Sequence, residues 1–250
     1  MDKVILEQRA DGVRLLTLND PERRNAIDRV MRQELADAVA EVAGDRDARA
    51  VVVTGAGVAF CAGGNLPDLV GPPGRRTDEM RDDLSVVYDS FLGIRRLAIP
   101  TLAAVQGAAV GAGVNLALSC DLRLMGPDGY LDVRFARMGI HPGGGCTSFL
   151  VDALGRQQAL HLLLQGARLD AAESVARGLA LSVAEDPTAA ALALAADIAT
   201  LDPILVRDIK ATVGVAATGD FEASLTAEAW AQAASLGRSP AVLQPRAKKA

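Results

Sequence analysis

Ala50-Val51-Val52-Val53-Thr54-Gly55, followed almost at once by Ala59-Phe60-Cys61-Ala62-Gly63-Gly64-Asn65-Leu66, is the stretch on which the fold turns. Residues 50–54 form a short β-branched run with no polar alternation, the pattern of a strand buried on both faces. It empties into the glycine-rich residues 55–64, so the order is strand and then loop. Thr54-Gly55-Ala56-Gly57 invites a dinucleotide-binding reading, in which glycines after a strand seat a pyrophosphate on a helix N-terminus. Phe60 stands where that fingerprint needs its third glycine, and residues 58–64 are a poor helix start. A nicotinamide enzyme is therefore the weakest reading of the loop.

Outward from this stretch the pattern returns. Residues 101–105 read as a second buried strand, followed by Gly107, Gly111 and Gly113 and a short apolar helix over 114–120. A third version follows, with a strand over 122–125, a proline-glycine loop over 139–145 and a helix over 146–154. Strands alternating with helices at this spacing predict an α/β domain with parallel pairing. Upstream, residues 4–18 break at Asp11-Gly12 and read as a hairpin. Asp28 caps a predicted helix whose apolar positions Met31, Leu35, Ala38, Val39 and Val42 recur at helical spacing until Gly44. Residues 71–76, rich in proline and glycine, read as a mobile connection to a long helical pattern ending before Pro100. Past Gly155 helical patterns dominate, over 157–164, 171–178, 188–200, 204–213 and 221–236. The boundary falls near residue 200, dividing a core over 1–200 from a helical region over 201–250.

The composition narrows the functional classes. At 250 residues and 50% hydrophobic the chain has material for a full core. Its longest apolar runs, such as residues 189–196, fall short of the roughly 18 residues a membrane span requires. The N-terminus lacks the order of a secretory leader, so a cytoplasmic location is the expectation, with no membrane partner. A net charge of −5 argues against broad nucleic-acid binding. Local basic groups remain, Arg23 and Arg24 near the start and Arg246, Lys248 and Lys249 at the end, and they suit a small anionic ligand. Cys61, Cys120 and Cys146 are too few and scattered for a disulfide framework. With His141 and His161 as the only imidazoles, no metal site is expected.

Two glycine-rich loops, Cys61-Ala62-Gly63-Gly64-Asn65 and Gly107-Ala108-Ala109-Val110-Gly111-Ala112-Gly113, each follow a buried strand and offer backbone N–H groups. If the loops are neighbours, two such donors converge on one oxygen, aided by the positive end of the helix that follows. That arrangement is an oxyanion hole. The alternative is that these glycines serve only tight turns and close packing.

Residues 59–66 resemble the first signature of the crotonase, or enoyl-CoA hydratase/isomerase, superfamily. Leu18-Asn19-Asp20-Pro21 with Asn25-Ala26-Ile27 is similar to the family's opening segment, residues 100–121 to its second signature, and Met138-Gly139-Ile140-His141-Pro142-Gly143-Gly144-Gly145 to its third. The resemblance implies an α/β spiral of ββα repeats with a helical C-terminal trimerisation region, assembling as a homotrimer or hexamer. It implies an acyl-CoA ligand whose thioester oxygen lies between the backbone N–H groups of Gly64 and Ala112, and no permanently bound cofactor. It also implies that Arg24, Ala26, Ala62, Gly63, Gly64, Asn65 and Leu66 line the CoA path, with the basic C-terminus reaching CoA phosphates.

Hydration of an enoyl thioester needs one group that takes a proton from water and another that delivers a proton to carbon. Resembling hydratases use two glutamates, and at the matching positions this sequence has Asn115 and Phe135. An amide has no useful basicity and a phenyl ring has no proton to move. Substitute acids or bases are Asp68 and His141, the latter titrating near neutral pH. Asp132 and Arg134 flank the lost acid, and strand alternation would aim one of them away from the Phe135 face. His161, among leucines, reads as structural, and Cys61 and Cys146 as buried inert thiols. Two functions follow from the resemblance. One is a crotonase-type enzyme of fatty acid metabolism, of lyase or isomerase class, whose reaction is not standard hydration; the other is a non-catalytic acyl-CoA binding protein.

Overall fold

The computed structural model describes residues 2–65, 68 and 74–238. Strands β1 (Val4–Gln8) and β2 (Val13–Leu18) pair antiparallel, Val4 opposite Leu18, across the turn at Gly12. Asp28 then accepts the Met31 N–H at 2.9 Å and opens α1 (Arg29–Gly44), which buries the five apolar positions anticipated. β3 (Ala50–Gly55) leads to the short β4 (Ala59–Cys61), and α2 (Thr77–Leu92) follows. The next turn is β5 (Thr101–Val105), β6 (Ala108–Val110) and α3 (Ala112–Ser119). After it come β7 (Leu122–Met125), β8 (Tyr130–Asp132) and α4 (Cys146–Gln165). β9 (Arg168–Asp170), α5 (Ala171–Ala176), β10 (Ser182–Val183) and α6 (Pro187–Ala199) complete this part.

From β3 onward, each successive pair of strands gives one strand to each of two sheets. The larger sheet has the order β1-β2-β3-β5-β7-β10 and the smaller β4-β6-β8-β9, parallel throughout except at β1–β2 and β8–β9. This is the ββα spiral. The uniform run in β3 has a direct cause: Val51 and Val53 enter the main core, whereas Ala50 and Val52 join Leu102, Ala104 and Leu124 against Ala191 and Ala195 of α6. Both faces of the sheet are covered, so neither shows polar alternation.

The structure corrects the sequence reading at several points. β4 and β6 lie inside what read as plain glycine loops, and β8 in the unassigned stretch between residues 125 and 139, because strands of three residues carry no period to detect. α3 starts at Ala112 rather than 114. The helices expected over 146–154 and 157–164 join in α4 across a kink at Gly155 (φ 73°, ψ 165°). Residues 71–73 of the expected connection lie outside the described residues, as do Leu66, Arg246, Lys248 and Lys249.

The chain divides into two compact units, residues 1–199 and 200–250. In the second, α7 (Pro203–Ala216) and α8 (Phe221–Leu236) pack on each other, capped by Asp202 and Asp220. Val213, Phe221 and Trp230 on these helices are exposed. Among the described residues no single helix is long and apolar enough to cross a membrane.

Candidate active site

The smaller sheet positions the site. β4, β6 and β8 run parallel, with Ala59 beside Ala108 and Val110 beside Asp132, so the segments leaving their C-terminal ends emerge at one edge. That end of a parallel sheet is where α/β folds gather their ligands. Residues 62–65, 111–113 and 133–135 meet there.

The first two segments interlock. A Cβ on Gly113 would fall 2.2 Å from Cys61 O, and one on Gly63 would fall 2.5 Å from Val110 O and 3.5 Å from Ala112 N. Gly63 also has φ +95°, a conformation other residues avoid. Side chains are excluded so that two backbones can touch. The 61–65 segment is held from its other side by Ile27, whose N–H donates to Gly63 O at 2.8 Å and whose carbonyl accepts from Asn65 N–H at 3.0 Å. In a parallel bridge the flanking residues make the bonds, so the N–H of Gly64 is directed away from Ile27. The N–H of Ala112, in the first turn of α3, has no acceptor within the helix. Its N-cap, Gly111, adopts φ 52° and ψ −111° and is anchored by its N–H to Asp132 O at 3.0 Å.

Side chains build the remainder. The Phe135 ring lies 3.8 Å from the position of a Gly111 Cβ, beside the start of α3. Asn115, one turn further along α3 and 1% exposed, donates from Nδ2 to Gly143 O at 2.8 Å. Its Oδ1 is buried and finds no donor among the described residues. Gly144 packs against three groups at once: a Cβ there would meet Asn115 Nδ2 at 2.7 Å, Phe91 Cζ at 2.9 Å and Tyr88 Cδ1 at 3.2 Å. Burial pushes the Tyr88 phenol above its ordinary pKa, against a smaller opposing pull from the Gly144 backbone.

The other sequence candidates scatter. Arg24 is exposed and left-handed (φ 53°), and its carbonyl accepts the Ala62 N–H at 2.9 Å, which joins the Arg24-Asn25-Ala26 turn to the 61–65 segment. Asp68 is exposed and accepts from Asn65 Nδ2 at 3.0 Å. His141 is exposed, with Nδ1 2.7 Å from Pro142 O. His161 lies on the exposed face of α4 rather than packed within it. Phe135 does not belong to a strand, since β8 ends at Asp132 and Phe135 N–H turns back to Val133 O at 2.7 Å. The alternation argument for its neighbours therefore fails: Asp132 is tied to Arg137 at 2.6 Å and to Arg134 Nε at 3.0 Å. Cys61 and Cys146 are fully buried and their thiols are pushed up to about 12 by desolvation. Among the described residues no three metal-ligating side chains gather.

Sequence reasoning gave no role to Tyr88, and none to Asn25 beyond its place in the opening segment. Asn25, fully buried at φ 55°, accepts the Asp20 N–H at 2.9 Å and donates to Ala56 O at 3.0 Å and Ala59 O at 2.8 Å, binding the opening turn to β4. Tyr88 carried no signal beyond its place in a helical pattern, because the glycines it packs on come from a distant segment.

The family model for enoyl-CoA hydratase/isomerase matches residues 8–236. The chain is 48% identical over 206 residues to "Probable enoyl-CoA hydratase EchA14" of Mycobacterium tuberculosis, covering 82% of this chain and 79% of that one. It is 34% identical over 236 residues to the 1,2-epoxyphenylacetyl-CoA isomerase of Escherichia coli, covering 91% and 88%. Among solved structures it is similar to a Thermobifida fusca protein in complex with CoA, with a TM-score of 0.84 and 31% identity over 95% of this chain and 94% of the other.

Proposed function

This chain belongs to the enoyl-CoA hydratase/isomerase family, and from that premise we propose that it binds an acyl-CoA thioester, with the thioester oxygen between the N–H groups of Gly64 and Ala112. The observation that carries the proposal is the interlocking of residues 61–65 with the start of α3, where glycines let two backbones touch. Two fixed donors aimed at one oxygen stabilise the enolate that forms when a proton leaves the adjacent carbon. They require no side chain, so they survive changes in the rest of the site. The Arg24-Asn25-Ala26 turn, tied to the same segment through Ala62, lies along the CoA path and presents a guanidinium suited to phosphate.

The reaction is not standard hydration. Asn115 and Phe135 stand where resembling hydratases carry glutamates, and neither moves a proton. The relatives' names divide between hydratase and isomerase, and these residues favour a reaction of the second kind, in which the enolate is formed and reprotonated without adding water. The same residues support a second reading, a non-catalytic acyl-CoA binding protein. The domain boundary belongs near residue 200, with the second unit as the trimerisation region: its exposed Val213, Phe221 and Trp230 suit burial between three copies.

The donor assignment is tested with Ala112→Pro. Proline is tolerated in the first turn of a helix, and it replaces the N–H with a ring carbon that fills the place assigned to the oxygen. Calorimetric affinity for butyryl-CoA should fall at least about tenfold, the worth of one hydrogen bond, while affinity for free CoA, which lacks the thioester carbonyl, is unchanged. Equal affinity of a folded variant for butyryl-CoA would remove Ala112 from the site.

A further inference from the structure

Tyr88 of α2 bears a proton that neither thioester polarisation nor CoA binding uses. It is half-buried, with the Phe91 ring edge-on to it at 6.3 Å between centroids. Its hydroxyl lies against Gly143: a Cβ there would fall 2.1 Å from Tyr88 Oη, so a larger residue would displace the ring. Gly144 carries the same ring on one side and the Asn115 amide on the other, and Asn115 Nδ2 reaches back to Gly143 O. Phenol and amide thus share one turn of backbone. Asn115 in turn lies three residues from Ala112 on α3, and residues at that spacing share a helix face. Ala112 and Asn115 thus share α3, and Asn115 and Tyr88 share the Gly143-Gly144 backbone.

We propose that Tyr88 is the proton-transfer residue of this site, exchanging its phenolic proton with the carbon next to the thioester carbonyl. The inference rests on the acyl-CoA reading above. In one direction the phenolate oxygen takes the proton, the carbon–hydrogen bond breaks, and its electron pair becomes the enolate whose oxygen is held by Gly64 and Ala112. In the other the phenol returns a proton to that carbon and the charge moves back to the phenolate. Charge and protons balance once solvent hydroxide has taken the resting phenol's proton, giving water and the phenolate. Burial keeps the resting phenol protonated, which suits it to deliver a proton to an enolate. Three ionisable groups adjoin Tyr88 and the 143–145 turn in sequence, and each is otherwise disposed. Asp89 is paired with Arg96 at 3.1 Å, the exposed His141 is bonded to Pro142 O, and the Cys146 thiol is fully buried.

The test is α-deuterium incorporation into butyryl-CoA in alkaline D2O, read by mass spectrometry, for the wild-type protein and Tyr88→Phe. Calorimetric titration of each with butyryl-CoA runs beside it. The wild type should incorporate deuterium, and Tyr88→Phe should do so slower by about 10²-fold or more, the usual weight of a general acid or base, with binding retained. Retained binding also reports an intact fold. Exchange by Tyr88→Phe at the wild-type rate, or a wild type that binds butyryl-CoA without exchanging it, overturns the assignment. A wild type that does not bind butyryl-CoA overturns the acyl-CoA reading itself, a result the titration separates from failure of Tyr88.

Discussion

Asn25 and Asn115 are both buried, at 0% and 1% exposure, yet they serve regions built on opposite terms. Around Asn25 the amide is saturated: Oδ1 accepts from Asp20 and Nδ2 serves the carbonyls of Ala56 and Ala59, so the opening turn and β4 are fastened together. Around Asn115 only Nδ2 is used, and Oδ1 is buried without a donor. A saturated buried amide contributes to stability, whereas a buried acceptor left open subtracts from it. The difference separates scaffold from site. On the proposed reading, polarisation falls to backbone held by the scaffold and proton transfer to Tyr88, beside the Asn115 and Phe135 side chains that move none.

Three substitutions probe that division. Asn25→Leu should have the largest effect on stability, about 4 kcal/mol, because several buried groups lose partners and leucine must enter a left-handed conformation. Chemical denaturation reads it, and a loss under about 1 kcal/mol would mean the turn is not fastened as described. Gly113→Ala comes next, at about 3 kcal/mol from forcing a methyl into the Cys61 carbonyl. Acyl-CoA binding should fall with it, and binding that survives intact would detach the donor geometry from the interlock. Asn115→Leu should cost the least, within about 1 kcal/mol, since the one hydrogen bond it loses is offset by removing an unpaired carbonyl. A penalty equal to that of Asn25→Leu would erase the contrast between the two regions.

Much of the scaffold was legible because it is periodic or strongly capped. The uniform run in β3, the Asp28 cap with its five apolar partners, and the long helices from α6 onward carry their patterns locally. The second sheet was not, because β4, β6 and β8 are each three residues long and set among glycines. Gly64, Ala112, Asn115 and Phe135 could be singled out through family resemblance and glycine spacing. The relation of Phe135 to its neighbours could not, because it depends on β8 ending at Asp132. The roles of Tyr88 and Asn25 escaped for a common reason. Their importance lies in what they touch, Gly143 and Gly144 for one and the β3–β4 carbonyls for the other, and those partners are remote in sequence.

The central claim is that polarisation and hydration chemistry are separated in this protein, the first retained in backbone and the second lost with two side chains. Crotonyl-CoA tests it most directly, by following the conjugated-thioester absorbance with wild-type protein beside a calorimetric titration in the same buffer. Each missing acid–base group is worth roughly 10² to 10⁴ in rate, so the account predicts saturable binding with hydration at or near the uncatalysed rate. Efficient hydration by the unmodified protein would contradict it.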